Sequence, residues 1–195
     1  MATFDTNNIN DLRRFFKSLN VFMIWLWRLG FRRWVNFWPS VSGRIMVIIH
    51  TGRKSGLQRR TPVNYAIMEG EIYCTAAIGT ISDWHRNIQA NPQVEVWLPD
   101  SWWAGIAEDI SYNERRIPLL RQVIIASGIV GPLFGVNPHK MTEQEFDQAS
   151  ADYRLIHIRR TLQLKGRGGP GDLAWIWIPI SAILLILLLL PRFIP

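Results

Sequence analysis

Between residues 44 and 161 the apolar and polar positions follow mostly the short runs expected of strands. RIMVIIH (44–50) and TPVNYAIM (61–68) flank a basic stretch, and a Glu69-Gly70 turn leads into EIYCTAA (71–77). QVEVWL (93–98) alternates, a PDS turn follows, WWAGIAEDI (102–110) returns, and RLIHIRR (154–160) reads as a last strand. DWHRNIQANP (83–92) reads instead as one short helix, stopped by Asn91-Pro92. Two more helices are predicted before the last strand, over about 113–127 and 142–152. Thr142 with Glu145 forms a capping-box pattern at the start of the second. Short strands at this spacing predict an α+β fold: an antiparallel barrel with flanking helices, not a parallel sheet.

The two ends follow other patterns. From Leu173 to Leu190 the chain reads LAWIWIPISAILLILLLL, without a charge. As a helix this run would extend ~27 Å at ~1.5 Å per residue, close to a bilayer core. Trp175 and Trp177 stand where an interfacial aromatic belt would. A C-terminal transmembrane helix over 173–191 is therefore expected, behind a Gly/Pro linker, KGRGGPGD (165–172). Arg154, Arg159, Arg160, Lys165 and Arg167 precede the run and only Arg192 follows it. The positive-inside rule then puts the domain on the cytoplasmic side of the cell membrane, with the lipid bilayer as a partner. Near the N-terminus, residues 9–38 interleave Phe, Trp, Leu and Ile with Arg13, Arg14, Lys17, Arg28, Arg32 and Arg33. This suits an amphipathic helix, either lying in a lipid interface or capping the domain core. It lacks a cleavage signature, so no secretory signal is expected. The layout expected is an N-terminal helix (1–40), a barrel domain (41–164), the linker and the span.

The 195 residues carry a net charge of +7, which favours an anionic partner. The single cysteine, Cys74, excludes an internal disulfide framework and suits a strand core. His50, His85, His139 and His157 are scattered, without zinc-ligand spacing, so no metal is expected. The basic residues come without a nucleic-acid motif, and no nucleic-acid partner is expected.

Four basic residues, Arg53, Lys54, Arg59 and Arg60, crowd the stretch between the first two strands. TGRKSG is not a Walker A sequence, since Gly-Lys-Ser/Thr is absent. It still has the parts of an anion seat: Gly52 and Gly56 for close backbone approach, the Ser55 hydroxyl and backbone N–H groups as donors, and cations for charge-assisted bonds. Taken alone it reads better as a solvated hairpin tip, since charged turns are common. The segment TAAIGTISDWHRNIQANP (75–92) adds small residues at a strand end, Ser82 or Asp83 as a helix cap, Trp84 for ring packing and the Asn87 amide.

TGRKSG followed by Arg-x-Thr-Pro, then DWHRNIQANPQVEV, resembles the deazaflavin (coenzyme F-420)-dependent nitroreductase and quinone reductase family of split β-barrel proteins. The resemblance runs from about Ile45 to Leu98, and more loosely to Arg160. It implies an FMN-binding-like split barrel and an oxidoreductase that uses coenzyme F-420, with FMN as the alternative cofactor. By position, Arg53, Lys54 and Ser55 would hold the cofactor's phosphate and acidic tail. Arg59, Arg60, Thr61, Pro62, Val63 and Asn64 would line that tail and the ring edge. Thr75, Ala76, Ala77 and Ile78 would give backbone contacts to the ring, and Asp83, Trp84, His85, Arg86 and Asn87 would close the site. Ala77 stands where members often carry a serine, so the resemblance bears on cofactor binding more than on nitro substrates. No side chain is assigned as a catalytic acid or base.

The uncharged stretch QVIIASGIVGPLFGVN (122–137) reads either as a lid facing a lipid-soluble substrate or as a core helix with its loop. The expected function is a membrane-anchored reductase that passes hydride to a lipophilic small-molecule acceptor such as a quinone. The alternative is a non-catalytic accessory or cofactor-binding subunit, packed against other subunits of a membrane complex.

Overall fold

The computed structural model describes residues 6–77 and 82–189. Three helices come first: α1 (Thr6–Arg28), α2 (Arg32–Val35) and α3 (Pro39–Ser42). The strands β1 (Ile45–Thr51), β2 (Gln58–Met68) and β3 (Glu71–Ala76) follow, then α4 (Asp83–Ala90). After β4 (Gln93–Leu98) and β5 (Ser101–Asp109) come α5 (Arg116–Ala126), α6 (Val130–Leu133) and α7 (Glu143–Ala149). The last elements are β6 (Arg154–Gln163) and α8 (Trp177–Leu189).

The strands close into a barrel in the order β1-β2-β3-β6-β5-β4, with every pairing antiparallel. Closure removes the sheet edges that an open sheet would leave unpaired. Every second residue points inward: Met46 and Ile48, Ile72 and Cys74, Val94 and Val96, Ile156 and Ile158 all lie in one buried cluster. The outer face is covered in two places. α5 packs Leu120, Val123 and Ile124 against Ala66 and Leu155. The end of α1 presses Trp27 onto Val47, Ile49 and Trp97. Because β1 is covered on both faces, Met46 to His50 form an unbroken buried run rather than an alternating one.

Several boundaries differ from expectation. β2 starts at Gln58, not at 61, since Gln58 to Thr61 pair with Thr51 to Ile48. Arg59 and Arg60 thus sit in the ladder, and their side chains point to opposite faces. β6 runs on to Gln163, past residue 160. The N-terminal amphipathic segment is not one helix: α1 ends in a Schellman turn, with Gly30 at φ +92° and Phe31 N–H donating to Leu26 O at 2.9 Å. The Thr142 capping box forms as the sequence suggests, with the Glu145 N–H on Thr142 Oγ1 and Glu145 Oε2 on Thr142 N–H.

The C-terminal helix starts later than expected. Leu173 does not begin a helix; Leu173 N–H donates to Arg28 O at 2.9 Å, and residues 174–176 form a 3-10 turn. The helix proper starts at Trp177 and covers 13 described residues, ~20 Å against a hydrocarbon core of ~30 Å. Among the described residues no helix is long and apolar enough to cross a membrane, and residues 190–195 lie outside them. The Gly/Pro segment before it is held at the end of α1. Asp172 takes a two-pronged hydrogen bond from Arg28 (3.0 and 2.8 Å), and Gly171 N–H donates to Trp27 O at 3.0 Å.

Trp27 is fully buried, whereas Trp25 two residues away is 49% exposed. Trp27→Ala should cost ~3–5 kcal/mol of stability in chemical denaturation, and Trp25→Ala ~0.5 kcal/mol or less. Equal effects would mean that α1 does not close the outer face of the barrel.

Candidate functional site

Six residues, 52 to 57, connect β1 to β2. Gly52 N–H donates to Leu57 O (2.9 Å) and Gly56 N–H to Gly52 O (2.8 Å), so the connection is a compact turn with Gly56 at φ +67°. A Cβ on Gly52 would lie 2.8 Å from Ser55 Oγ and 2.9 Å from Arg59 Nε. Only glycine lets those two groups close over the backbone.

The turn is tied to α4 through one amide. Asn87 Oδ1 accepts from the Arg53 backbone N–H (3.1 Å) and from the Arg53 guanidinium (2.9 Å). The guanidinium also reaches Asp83 Oδ1 at 3.0 Å. With its oxygen occupied, Asn87 turns its NH2 toward His50 Nδ1, 3.2 Å away. His50 Nδ1 must then accept, so the proton sits on Nε2, which donates to Thr61 Oγ1 at 3.1 Å. His50 and Asn87 are both buried. Burial, and then the charge of Arg59, lower the His50 pKa to about 4, so the ring is neutral near pH 7.

Between the turn and α4 lies a cleft of about 240 Å³, lined by Gly52, Arg53, Lys54, Ser55, Arg59, Asp83 and Asn87. The basic residues divide. Arg53 is spent on Asp83 and Asn87. Lys54 and Arg59 face the cleft and take no carboxylate partner among the described residues. Arg60 points to the opposite face of β2, its guanidinium 5.2 Å from the centre of the Trp97 ring, and does not line the cleft.

The remaining expected site residues are spread over three places. Thr61 holds His50, while Val63 is part of the barrel core and Pro62 lies between them on β2. Asn64, Thr75 and Ala77 line a second, smaller hollow of about 70 Å³, together with Ile124, Val130 and Phe134 of the α5–α6 region and with Tyr153. Thr75 Oγ1 donates to Arg154 O at 3.0 Å, and Ala76 is buried. Burial raises the Tyr153 pKa above its ordinary value. Ile78 lies outside the described residues. On α4, Asp83 meets Arg53 and Ser82 takes the N-cap position without a capping hydrogen bond. Trp84 packs partly on the barrel core, and Arg86 is exposed away from the cleft.

His85 faces inward. It is fully buried, and its Nε2 lies 2.7 Å from Asp109 Oδ2. Burial pushes the Asp109 carboxyl up, but hydrogen bonds from the Ser111 hydroxyl and N–H, and from His85, outweigh it and hold the pKa below the ordinary value. Ser111 Oγ in turn accepts from Leu155 N–H at 2.9 Å. This network joins α4 to β5 and β6 and does not line the cleft. Sequence reasoning missed His50, Asp109 and Ser111. The signal for His50 is its pairing opposite Arg59, which needs the strand register.

Comparison with known proteins gives one family, described as F420H(2)-dependent quinone reductase, matched over residues 34–127. No curated protein matches the chain. Similar solved structures include a conserved hypothetical protein from Mycobacterium tuberculosis, 19% identical, covering 63% of this chain and 76% of that one, with a TM-score of 0.45. Another is the heme storage protein of Vibrio cholerae, 14% identical over 66% of this chain and 89% of its own, with a TM-score of 0.43. A third is a reductase dependent on reduced F-420, 19% identical over 60% of this chain and 94% of its own, also at 0.43. At these scores the three likenesses carry no functional information.

The His50 chain has a consequence for pH. Its folded pKa of about 4 is below the ordinary 6.5, so the unfolded chain binds the extra proton between those values. Stability from this group is complete above about pH 6.5 and falls as pH drops through the window, by up to roughly 3 kcal/mol. His50→Gln keeps an acceptor and a donor but cannot titrate. The stability of the natural chain relative to His50→Gln, measured by urea denaturation, should therefore fall between pH 7 and pH 4. A constant difference would show that His50 is not buried neutral.

Proposed function

We propose that the chain, which matches the F420H(2)-dependent quinone reductase family over residues 34–127, is a membrane-attached reductase acting on a lipophilic acceptor, with a quinone as the acceptor class. Coenzyme F-420 is the cofactor that the family implies, and in its reduced form it supplies the hydride. The residues present suit that group. Its anionic tail needs cations and close backbone approach, and the cleft offers Lys54, Arg59, the Ser55 hydroxyl and the bare Gly52 backbone. The observation that carries the reading is the division of labour at this cleft: Arg53 is consumed in building the turn, while Lys54 and Arg59 line one space and have no carboxylate partner among the described residues.

The second hollow supports an apolar acceptor. Its walls from the α5–α6 region include Ile124, Val130 and Phe134, and its polar side chains are Asn64, Thr75, Ser127 and Tyr153. It takes its first contribution from Asn64, five residues along β2 from Arg59, or ~16 Å. The barrel thus presents an anionic-ligand cleft and an apolar hollow on one strand, and the protein's part is to hold two reactants in register. Attachment is proposed through the charge-free run from Leu173 to Leu190, with the barrel on the cytoplasmic side given the basic residues that precede the run.

Titration of deazaflavin fluorescence at fixed salt tests the cleft. Lys54→Ala and Arg59→Ala should each weaken binding by ~1.5–3 kcal/mol, since hydrogen bonds to charged groups fall in that range. Arg60→Ala should leave the dissociation constant unchanged, because its guanidinium lies over Trp97. Equal losses at all three positions would indicate a diffuse charge effect rather than a seat. In a second assay, Val130→Asp should slow quinone reduction in proteoliposomes while cofactor affinity stays nearly constant. Cofactor binding with no turnover on any quinone would favour an accessory subunit.

A further inference from the structure

Resting on the reading of the hollow as the acceptor site, we infer that the exposed apolar strip formed by α2, α3 and α6 is a docking surface for an anionic lipid bilayer. The strip links the apolar C-terminal helix to the mouth of the hollow through a series of contacts. Trp177, which opens α8, meets Phe31 edge-on at 5.5 Å and donates Nε1–H to Leu29 O at 2.9 Å. Beyond Phe31, Trp34 stacks at a tilt on Phe37 (6.2 Å), and Phe37 on Trp38 (6.3 Å). α3 then joins α6: Ile129 N–H donates to Val41 O at 3.3 Å. The join is tight, because a Cβ on Gly128 would lie 2.8 Å from Val41 O and 2.9 Å from Gly43 N. Phe134, just past α6, lines the hollow.

These residues face out. Trp34, Phe37, Trp38 and Leu133 are between 69 and 75% exposed. Single exposed apolar residues are ordinary, but a connected series of large aromatics beside a ligand hollow marks an interaction surface. Two observations name the occupant as lipid. First, the series continues into α8, where Ile183, Leu184, Leu185 and Ile186 are consecutive and each between 56 and 60% exposed. Four consecutive positions cover every side of a helix, so the helix calls for an apolar solvent rather than a groove on one side. Second, charge is sorted along the chain. Residues 12–44, which hold α2 and α3 of the strip, contain seven Lys or Arg and neither Asp nor Glu, with Arg28 and Arg33 paired to Asp172 and Asp100. Tryptophan with arginine is the pairing that suits a headgroup boundary bearing anionic lipid.

The strap sets the orientation. Arg28 on Asp172 and the backbone bonds from Gly171 and Leu173 fix the start of α8 to the end of α1. A barrel attached through α8 is therefore not free to tumble on a tether. The strip lies next to the attachment point, and the hollow next to the strip. A lipid-soluble acceptor enters the hollow without crossing water.

The test uses depth-dependent quenching. Cys74 is fully buried, so the natural chain allows single added cysteines to be labelled selectively. Phe37→Cys and Leu133→Cys place a fluorophore on α2–α3 and on α6. Glu114→Cys places the control just ahead of α5, beyond Arg115, which reaches Glu69; Ala126 at the other end of α5 accepts from Arg44 N–H beside the strip. The full chain is reconstituted in vesicles of phosphatidylcholine with phosphatidylglycerol, some of the lipids carrying spin-label quenchers on their acyl chains. The expected result is strong quenching at 37 and 133, and little at 114. Labels at 37 and 133 that stay in water overturn the surface, as does equal quenching at all three positions. Deazaflavin binding is read on the same preparations. Retained binding with unquenched labels refutes the docking surface alone, while quenched labels without binding refute the reductase reading alone.

Discussion

The amide of Asn87 is the junction on which the cleft depends. Its oxygen accepts twice from Arg53 and its nitrogen faces His50, so one side chain on α4 couples the β1–β2 turn to the barrel wall. An amide suits this position because it offers an acceptor and a donor on one planar group, and both are used in a buried setting where an unmade bond would be costly. The arrangement also fixes the ionisation of His50, which has an acceptor at one nitrogen and a donor at the other and no place for a second proton. The turn therefore holds its shape through Asn87 and the Arg53–Asp83 ion pair, and leaves Lys54 and Arg59 facing the cleft. A loop that must bind an anion gains from such an arrangement, since cations already paired in the free protein would have to break those bonds first.

The same economy appears at the other end of the barrel. The outer face of β1 and β4 needs a cover, and the end of α1 supplies it with Trp27. The cover ends at a glycine turn, and the C-terminal segment is bonded back onto that turn. Two apolar segments far apart in sequence thus leave the domain from one place. The Arg28–Asp172 pair there is partly buried and bidentate, which gives it more directional value than an exposed pair would have. The apolar C-terminal helix, the aromatic strip and the hollow follow one another along the surface because of this strap.

The family match over residues 34–127 and the geometry bear on different parts of the function. The family implies the cofactor and the class of reaction. The geometry says which residues can serve: Lys54, Ser55 and Arg59 at the cleft, and Tyr153 with Asn64 at the hollow. It removes Arg60, which packs on Trp97, and His85, which is paired with Asp109 inside the fold. Ala77 brings no hydroxyl to the wall of the hollow, where Thr75, Ser127 and Tyr153 supply them, and burial raises the Tyr153 pKa.

The sequence by itself determined the strand runs, the antiparallel barrel, the short helix stopped by Asn91-Pro92 and the capping box at Thr142. These are local matters: alternation, turn residues and caps act over a few positions, and their physics is complete within the segment. The basic loop and the Trp84-x-x-Asn87 segment were legible as a motif pair for the same reason. Register and cover were not. Whether Arg59 or Arg60 faces the cleft turns on which residue of β1 each opposes, and a shift of one position would exchange them. His50 became part of the site only because Thr61 and Asn87, 11 and 37 residues away, close on its two nitrogens. The C-terminal run reads as one uninterrupted apolar helix by hydropathy, which counts side chains and not backbone partners. Tertiary structure delays the helix to Trp177: Leu173 is bonded to the Arg28 carbonyl and residues 174–176 form a 3-10 turn.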